Sequence, residues 1–490
     1  MNNIVIIEKD IYIYPKNKNF RPSKMYPEYP FQEICNDECN YVYDMVRDGL
    51  RMMGYDNSNF GTNAWNPLGD IIHPGDKVLI KPNLVMDRNL SGNGEECLYT
   101  HPSVVAALID YTYIALKGQG EIIVGDAPVQ ECDFEKLIKE SGYENLIKYY
   151  MSKNINIRLI DFRELKSIKK NGVNYQTEKK ERNGIIVNLT GDSEFDKLEA
   201  EQFNNLRITN YDPRLLKEHH NYNIQEYYIN KEVLMANVFI NVPKPKTHRK
   251  AGVTIALKNI VGINARKEYL PHHSNGSVKE GGDEYLNKSN LKVVKNKLLD
   301  ARNISMQTEK KYFKTKCFNF FLLLLSFIMK IQEKDNYYEG NWYGNTTIGK
   351  TIVDLNKILL YADANGNMVS EQQRKCLTVA DMIISGEKEG PLCPEPKKIG
   401  VIAIGENFVI FDEIISKLMG LKNEYFSTLQ IAKKAKGKYN LFEQNARAKI
   451  ISNNEKLNGK SVDEIEKNDI WYFQSTSGWE KAFMNKGDKV

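Results

Sequence analysis

The stretch that decides the fold is Asp76-Lys-Val-Leu-Ile-Lys81, closed by Pro82-Asn83-Leu84. Pro102-Ser-Val-Val-Ala-Ala-Leu-Ile-Asp-Tyr-Thr-Tyr-Ile-Ala-Leu-Lys117 comes next, and then Glu121-Ile-Ile-Val-Gly125. A short apolar run bounded by turn formers is the pattern of a strand buried on both faces. The middle stretch is too long for a strand. It opens on a proline, which suits the first turn of a helix, and it stops before Gly118. Strand, helix and strand in succession read as a parallel βαβ unit.

Working outward, residues 134–150 predict a helix leading to a third strand around Ile155–Asp161. Upstream, Pro15, Pro22, Pro27 and Pro30 keep the chain extended, and residues 40–53 have the spacing of an amphipathic helix. Downstream, Val238-Phe-Ile-Asn-Val242 reads as a strand running into Pro243-Lys-Pro-Lys-Thr-His-Arg-Lys250, and residues 251–263 carry helical apolar spacing. Residues 275–316 are rich in Gly, Asn and Lys and read as an irregular excursion. A last block starts at Thr351-Ile-Val-Asp354; its best strand is 398–404, followed by a helix near Asp412–Met419. Asp354 is expected to cap a helix formed by the DLNKILLYAD string. No internal repeat is present. The expected class is α/β: a mainly parallel sheet flanked by helices, with an irregular insertion and a second, smaller α/β block. The expected division is an N-terminal extension over 1–70, a main domain over 71–300, a lysine-rich insertion over 301–345 and a C-terminal α/β part over 346–490.

Composition narrows the function classes. In 490 residues, 41% hydrophobic and 27% charged content excludes a disordered chain and a polytopic membrane protein. Sixty-eight Lys and Arg against 63 Asp and Glu leave a net charge of only +5, which argues against a nucleic-acid partner. Seven cysteines, at 35, 39, 97, 132, 317, 376 and 393, do not make a secreted disulfide framework. Cys35 and Cys39 have no second pair to complete a zinc or cluster site, so reduced thiols are expected. The opening MNNIVIIEKD has charges where a secretory signal needs an apolar core. A cytoplasmic location is expected, with one qualification. Residues 317–329 read CFNFFLLLLSFIM between Lys314, Lys316, Lys330 and Lys334. The run falls short of the ~20 apolar residues of a spanning helix. It fits either a buried core helix or a segment lying at a membrane interface or on a membrane partner.

Ligands of parallel sheets bind where loops converge outside the carboxyl ends of the strands. Four polar clusters fall at such ends: Lys81 and Asn83; Asp126 within Gly125–Pro128; Lys244, Lys246, Thr247 and His248; and Glu387 and Glu389 within Gly386–Pro391. A helix over 251–263 would place His248 near its N-terminus and Lys258 two turns in, followed by Asn259. Cations around such a terminus suit a carboxylate or phosphate. Lys81, Asn83, Lys246 and Lys258 could hold an anionic substrate, while Asp126 with Glu387 or Glu389 could serve as acid or base or bind a divalent metal. His272 and His273 are candidate metal ligands, of which a strand would turn only one inward. Trp342 and Trp479 suit packing or a substrate platform equally.

The strings IKPNLV (80–85), IIVGDAP (122–128), NVPKPKTH (241–248), TIALKNIVGI (254–263), SGEKEGPLCP (385–394) and QSTSGWE (474–480) resemble those of the family of domain of unknown function 362. The Thr100–Asp110 and Asn341–Asp363 strings fit it too. Many members carry a ferredoxin-like cysteine segment, which is missing here, so the resemblance implies no iron–sulfur cluster. More distantly, His248-x2-Ala251-Gly252-x-Thr254-x3-Lys258 is similar to the signature of nickel-pincer lactate racemases. That likeness implies Lys258 as cofactor anchor or anion contact, and His272 or His273 near the place of a nickel-ligating His. Asp126 stands where those enzymes have a catalytic His, and Ile255-Ala256 replaces their Gly-Gly. A common fold is therefore implied, and a nickel cofactor is not. The expectation is an enzyme that acts on a small anionic substrate, a hydroxy acid or an acidic or phosphorylated sugar, by proton or hydride transfer. The setting would be cell-surface polymer synthesis. The alternative is a non-catalytic accessory protein docked at a membrane through 317–329.

Overall fold

Apolar side chains alternate in direction along the central strands, so each face of one sheet is covered by helices. The computed structural model describes residues 3–487 apart from 17–19, 36–37, 171–172, 179–180, 307–310, 333–336, 436–437 and 443–447. Its main sheet has ten strands: β1 (Ile4–Glu8), β2 (Lys77–Pro82), β3 (Glu121–Asp126), β4 (Ile157–Asp161), β5 (Val238–Val242), β6 (Lys246–His248), β7 (Gly252–Thr254), β8 (Lys375–Glu389), β9 (Cys393–Gly405) and β10 (Ile450–Ser452). The spatial order is β10-β1-β9-β8-β5-β2-β3-β4, with β6 paired to β8 and β7 to β6. The path β8-β5-β2-β3-β4 is parallel throughout, whereas β9 and β7 run against their neighbours. Flanking helices include α1 (Tyr41–Met52), α2 (Pro102–Leu116), α3 (Asn290–Ser305), α4 (Tyr312–Gln332), α5 (Thr347–Tyr361) and α6 (Phe408–Met419).

Val78, Ile80, Ile122, Val124, Val238 and Ile240 point to the face covered by α1 and α2. Leu79, Ile123 and Phe239 point to the face covered by α5 and α6. Each such side chain, taken fully out of water, contributes about 1.5–3 kcal/mol. The mainly parallel α/β class read from the strand–helix rhythm is the observed one.

Several local expectations are corrected. Residues 251–263 do not form one helix. Gly252 takes φ +79°, and the β-branched Val253 and Thr254 pair back onto Lys246–His248 as a hairpin. One helical turn, Ala256–Asn259, and a 3-10 turn, Ile260–Ile263, follow. The expected helix N-terminus beside His248 therefore does not exist. The excursion at 275–316 contains α3, whose first turn is capped by Ser289 accepting from Lys292 N. Asp354 lies inside α5 and accepts from Ser193 Oγ (2.5 Å), Glu194 N (2.9 Å) and Tyr227 Oη (2.9 Å), so it is no N-cap. The apolar run at 317–329 is the middle of a helix 21 residues long, α4, and Lys334 lies outside the described residues.

Candidate functional site

The site is built around a buried ion pair at the carboxyl edge. Lys81, near the end of β2, places Nζ 2.7 Å from Asp126 Oδ1 at the end of β3, and both side chains are buried. Lys81 also donates to Pro82 O (3.1 Å) and Asn259 Oδ1 (3.2 Å). Asn259 in turn donates to Asn241 Oδ1 on β5 (2.8 Å), and Asn241 donates to Ala256 O (3.0 Å). The two Asp126 oxygens accept from Leu84 N (2.6 Å) and Ala127 N (2.8 Å). Burial pushes the Lys81 ammonium down and Asp126 opposes that shift. Three strand ends are thus locked through one charged pair. A Cβ on Gly262 would lie 1.9 Å from Asp126 Oδ1, so the chain can pass this pair only as glycine.

Other expected site residues turn out to be fasteners. Lys244 pairs with Asp381 (2.9 Å), and both contact the Tyr14 hydroxyl from the N-terminal segment. Lys246 donates to Asn83 Oδ1 (2.8 Å) and Leu98 O, and burial pushes it down to about 7. Thr247 Oγ1 donates to Lys388 O (2.7 Å). Glu387 and Glu389 lie in the β8–β9 ladder, not in a loop, and accept from Gln474 N (2.8 Å) and Ser477 N (2.7 Å). They hold the terminal QSTSGWE string in place. Trp479 is fully buried and donates to Arg249 O (2.7 Å); its role is packing.

A cavity of about 510 Å³ opens beside the Lys81–Asp126 pair. Its polar wall includes Asp126, His248, Arg249, Lys258, Lys267 and His272, with Asn83 and Asn259 at the same edge. Val85, Met86, Val261, Leu270 and Leu392 supply apolar wall. Burial and the neighbouring Lys81 push Lys258 down to about 8, against the pull of Asp126. Among the described residues, Lys258 Nζ has no hydrogen-bond acceptor. Lys267 donates to Ala127 O (2.9 Å) and is pushed to about 7 by burial, offset by Asp126 and deepened by Lys258 and Lys81.

The two histidines in the wall are neutral and of opposite tautomer. His248 Nδ1 accepts from Lys250 N (3.1 Å) and Ala251 N (3.2 Å), so the ring proton sits on Nε2. His272 Nδ1 lies 2.7 Å from Leu270 O, which can only accept, so its Nε2 is bare. Burial holds His248 well below its ordinary value, and the field of Lys258 and then of His272 adds to this. His272 is pushed down to about 3, by burial and then by Lys250. His273 instead sits in a two-residue strand paired with Arg207. Among the described residues, no three His, Cys, Asp or Glu side chains converge to hold a metal ion.

A larger cavity, about 680 Å³, lies at the opposite edge of the sheet, near the starts of β5 and β8. Its buried cation, Arg374, is consumed by the Val233, Leu234, Leu359 and Ala362 carbonyls. The smaller cavity, with converging strand ends and an unpaired ammonium, is the better site on chemical grounds. Sequence reasoning missed Lys267 in its wall, Asn241 beneath it, and Asp412. The buried Asp412 carboxylate accepts from Ala256 N (2.8 Å) and Leu257 N and so positions the turn bearing Lys258. Asn241 stands inside a quoted string. Lys267 and Asp412 carry no local signal.

The chain belongs to the family described as Domain of unknown function (DUF362), whose profile matches residues 78–181 and 178–417. Among curated proteins it is similar to the Thylakoid-associated protein sll1697 of Synechocystis sp., at 27% identity over 197 residues. That match spans 40% of this chain and 41% of the relative. No solved structure gives a significant match.

Proposed function

We propose that the carboxyl-edge cavity binds a small organic anion, a hydroxy acid or an acidic or phosphorylated sugar, and moves a proton on it. The observation that carries this reading is Lys258: an ammonium in a cavity wall, with no acceptor among the described residues and with cationic neighbours that repel it. An anion would relieve that repulsion and supply the missing partner. Lys267 and Arg249 add positive field on the same wall. His272 Nε2, with its lone pair, can take a proton from the ligand and return it from the imidazolium so formed, while the His248 Nε2–H can donate a hydrogen bond to the anion. A neutral imidazole whose bare nitrogen faces the ligand is what removal and return of a proton at one carbon requires, as in epimerisation.

The test is made in two stages. Thermal midpoints are measured with millimolar inorganic phosphate, sugar phosphates and 2-hydroxy acids. At least one of these anions raises the midpoint, and Lys258→Met abolishes the rise while keeping the fold. Every stabilising carbon acid is then incubated in deuterium oxide. Proton NMR shows deuterium entering the ligand with the wild-type protein, but not with His272→Gln. No midpoint rise with any of the anions removes the proposal. Binding without exchange leaves a ligand-binding accessory protein, a reading that the exposed apolar face of α4 favours.

A further inference from the structure

Helix α4 is apolar on more than one side. Thr315, Leu322, Leu325 and Met329 form a narrow buried stripe, packed on α3 and on the strand Val173–Glu178. The remaining surface exposes Phe313 (77%), Phe320, Phe321, Leu323 (72%), Leu324, Phe327 and Ile331 (70%). Monomeric soluble domains rarely leave such a contiguous aromatic and leucine surface in water. Exposed lysines bracket it, Lys311, Lys314 and Lys316 at one end and Lys330 at the other, and Tyr312–Gln332 contains no Asp or Glu.

We infer that α4 is an interfacial anchor that lies along the surface of a membrane bearing anionic lipids. Two competing occupants fit less well. A spanning helix agrees with the length and composition of α4, but not with its connections. The preceding α3 is fastened to the body by Arg207–Asp300 (3.2 Å) and by Arg302 donating to Asn210 Oδ1 (2.6 Å). The chain after α4 returns to the same body: Tyr338 stacks under Lys295 Nζ (3.6 Å), and Trp342 donates to Asp283 O (2.9 Å). Both ends therefore lie on one side. The apolar run 317–329 is also only about 20 Å long, against the ~30 Å of a hydrocarbon core. A second copy of this chain, paired face to face, would set lysines against lysines with no carboxylate on the helix to neutralise them. Phospholipid headgroups neutralise both ends at once while acyl chains take up the Phe and Leu side chains.

The anchor has a consequence for the cavity. Met306, next after α3, and Glu339 and Asn341, which follow α4, are part of the cavity wall. Docking through α4 places that wall beside the lipid surface. The relative of this chain named as thylakoid-associated is in keeping with such a setting.

The experiment is vesicle flotation of the full chain with phosphatidylcholine vesicles and with phosphatidylcholine–phosphatidylglycerol vesicles, paired with light scattering for oligomeric state. Wild-type protein floats with the anionic vesicles, about tenfold more than with neutral ones, and high salt weakens it. Leu323→Glu/Phe327→Glu, at two exposed positions, stays at the bottom of the gradient with an unchanged thermal midpoint. Wild-type protein that floats with neither composition overturns the inference. So does a wild-type dimer that the double substitution turns into a monomer without any vesicle binding. Resistance to alkaline carbonate extraction from native membranes overturns it in favour of a spanning helix. None of these readouts depends on anion binding in the cavity, so the two proposals fail separately.

Discussion

Lys258 joins chemistry that the sequence shows to surroundings that it does not. Its spacing from His248 is visible in the chain, but its lowered affinity for a proton comes from burial beside Lys81, a residue of a different strand. Lys258→Met lowers affinity for a stabilising anion about tenfold to a hundredfold, the range of one charge-assisted hydrogen bond, as read by calorimetry. The pH dependence follows from the same groups. Lys267 near 7 and Lys258 near 8 are cationic below those values, so affinity for a carboxylate falls as pH rises through them. Titration of a 2-hydroxy acid between about pH 6 and pH 9 shows weaker binding at the alkaline end. Unliganded stability runs the other way. Lys246, Lys250, Lys258 and Lys267 are all depressed from 10.5 to about 7 or 8, so between those values and 10.5 the unfolded chain holds more protons. Stability therefore rises with pH across that window, and the melting midpoint is higher at about pH 9 than at about pH 7. A saturating anion narrows the difference.

At the scale of elements, the turn Ala256–Asn259 depends on a carboxylate far away in sequence. Asp412→Ala removes the cap on Ala256 N and Leu257 N and costs about 1–2 kcal/mol in denaturant unfolding, with weakened anion binding because Lys258 loses its support. Gly262→Ala drives a methyl against the Lys81–Asp126 pair and costs about 1–3 kcal/mol by overpacking, together with loss of the anion effect. These elements also show how local pattern misleads. Residues 251–263 have helical apolar spacing, yet Gly252 in a left-handed conformation sits under the Trp479 ring, where a Cβ would come within 2.5 Å, and turns the chain back as a hairpin. The buried strands β2, β3 and β5 were legible because their two-sided burial leaves an unbroken apolar run. Glu387 and Glu389 looked like loop ligands because the Gly390-Pro391 turn beside them reads as a loop, whereas both pair across that turn, with Glu395 and Cys393.

Over the whole molecule, the chain ends close the site. Tyr14 near one end completes the buried Lys244–Asp381 pair, and Trp479 near the other supports Arg249. Trp479→Ala costs about 3–5 kcal/mol in unfolding and loosens the His248–Lys250 segment, detectable as faster amide exchange there. The sequence alone determined the α/β class, the family and the carboxyl-edge clusters. Those depend on apolar runs, turn residues and short strings, all of which are local. Only the tertiary structure decided which charges are spent on one another and which face the cavity. Lys81, Lys244 and Lys246 find acceptors on other elements, whereas Lys258 faces the cavity without one among the described residues. Ion pairing and burial depend on contacts from 45 residues apart, as in Lys81–Asp126, to 163 apart, as in Lys246–Asn83, and no single stretch of sequence records them.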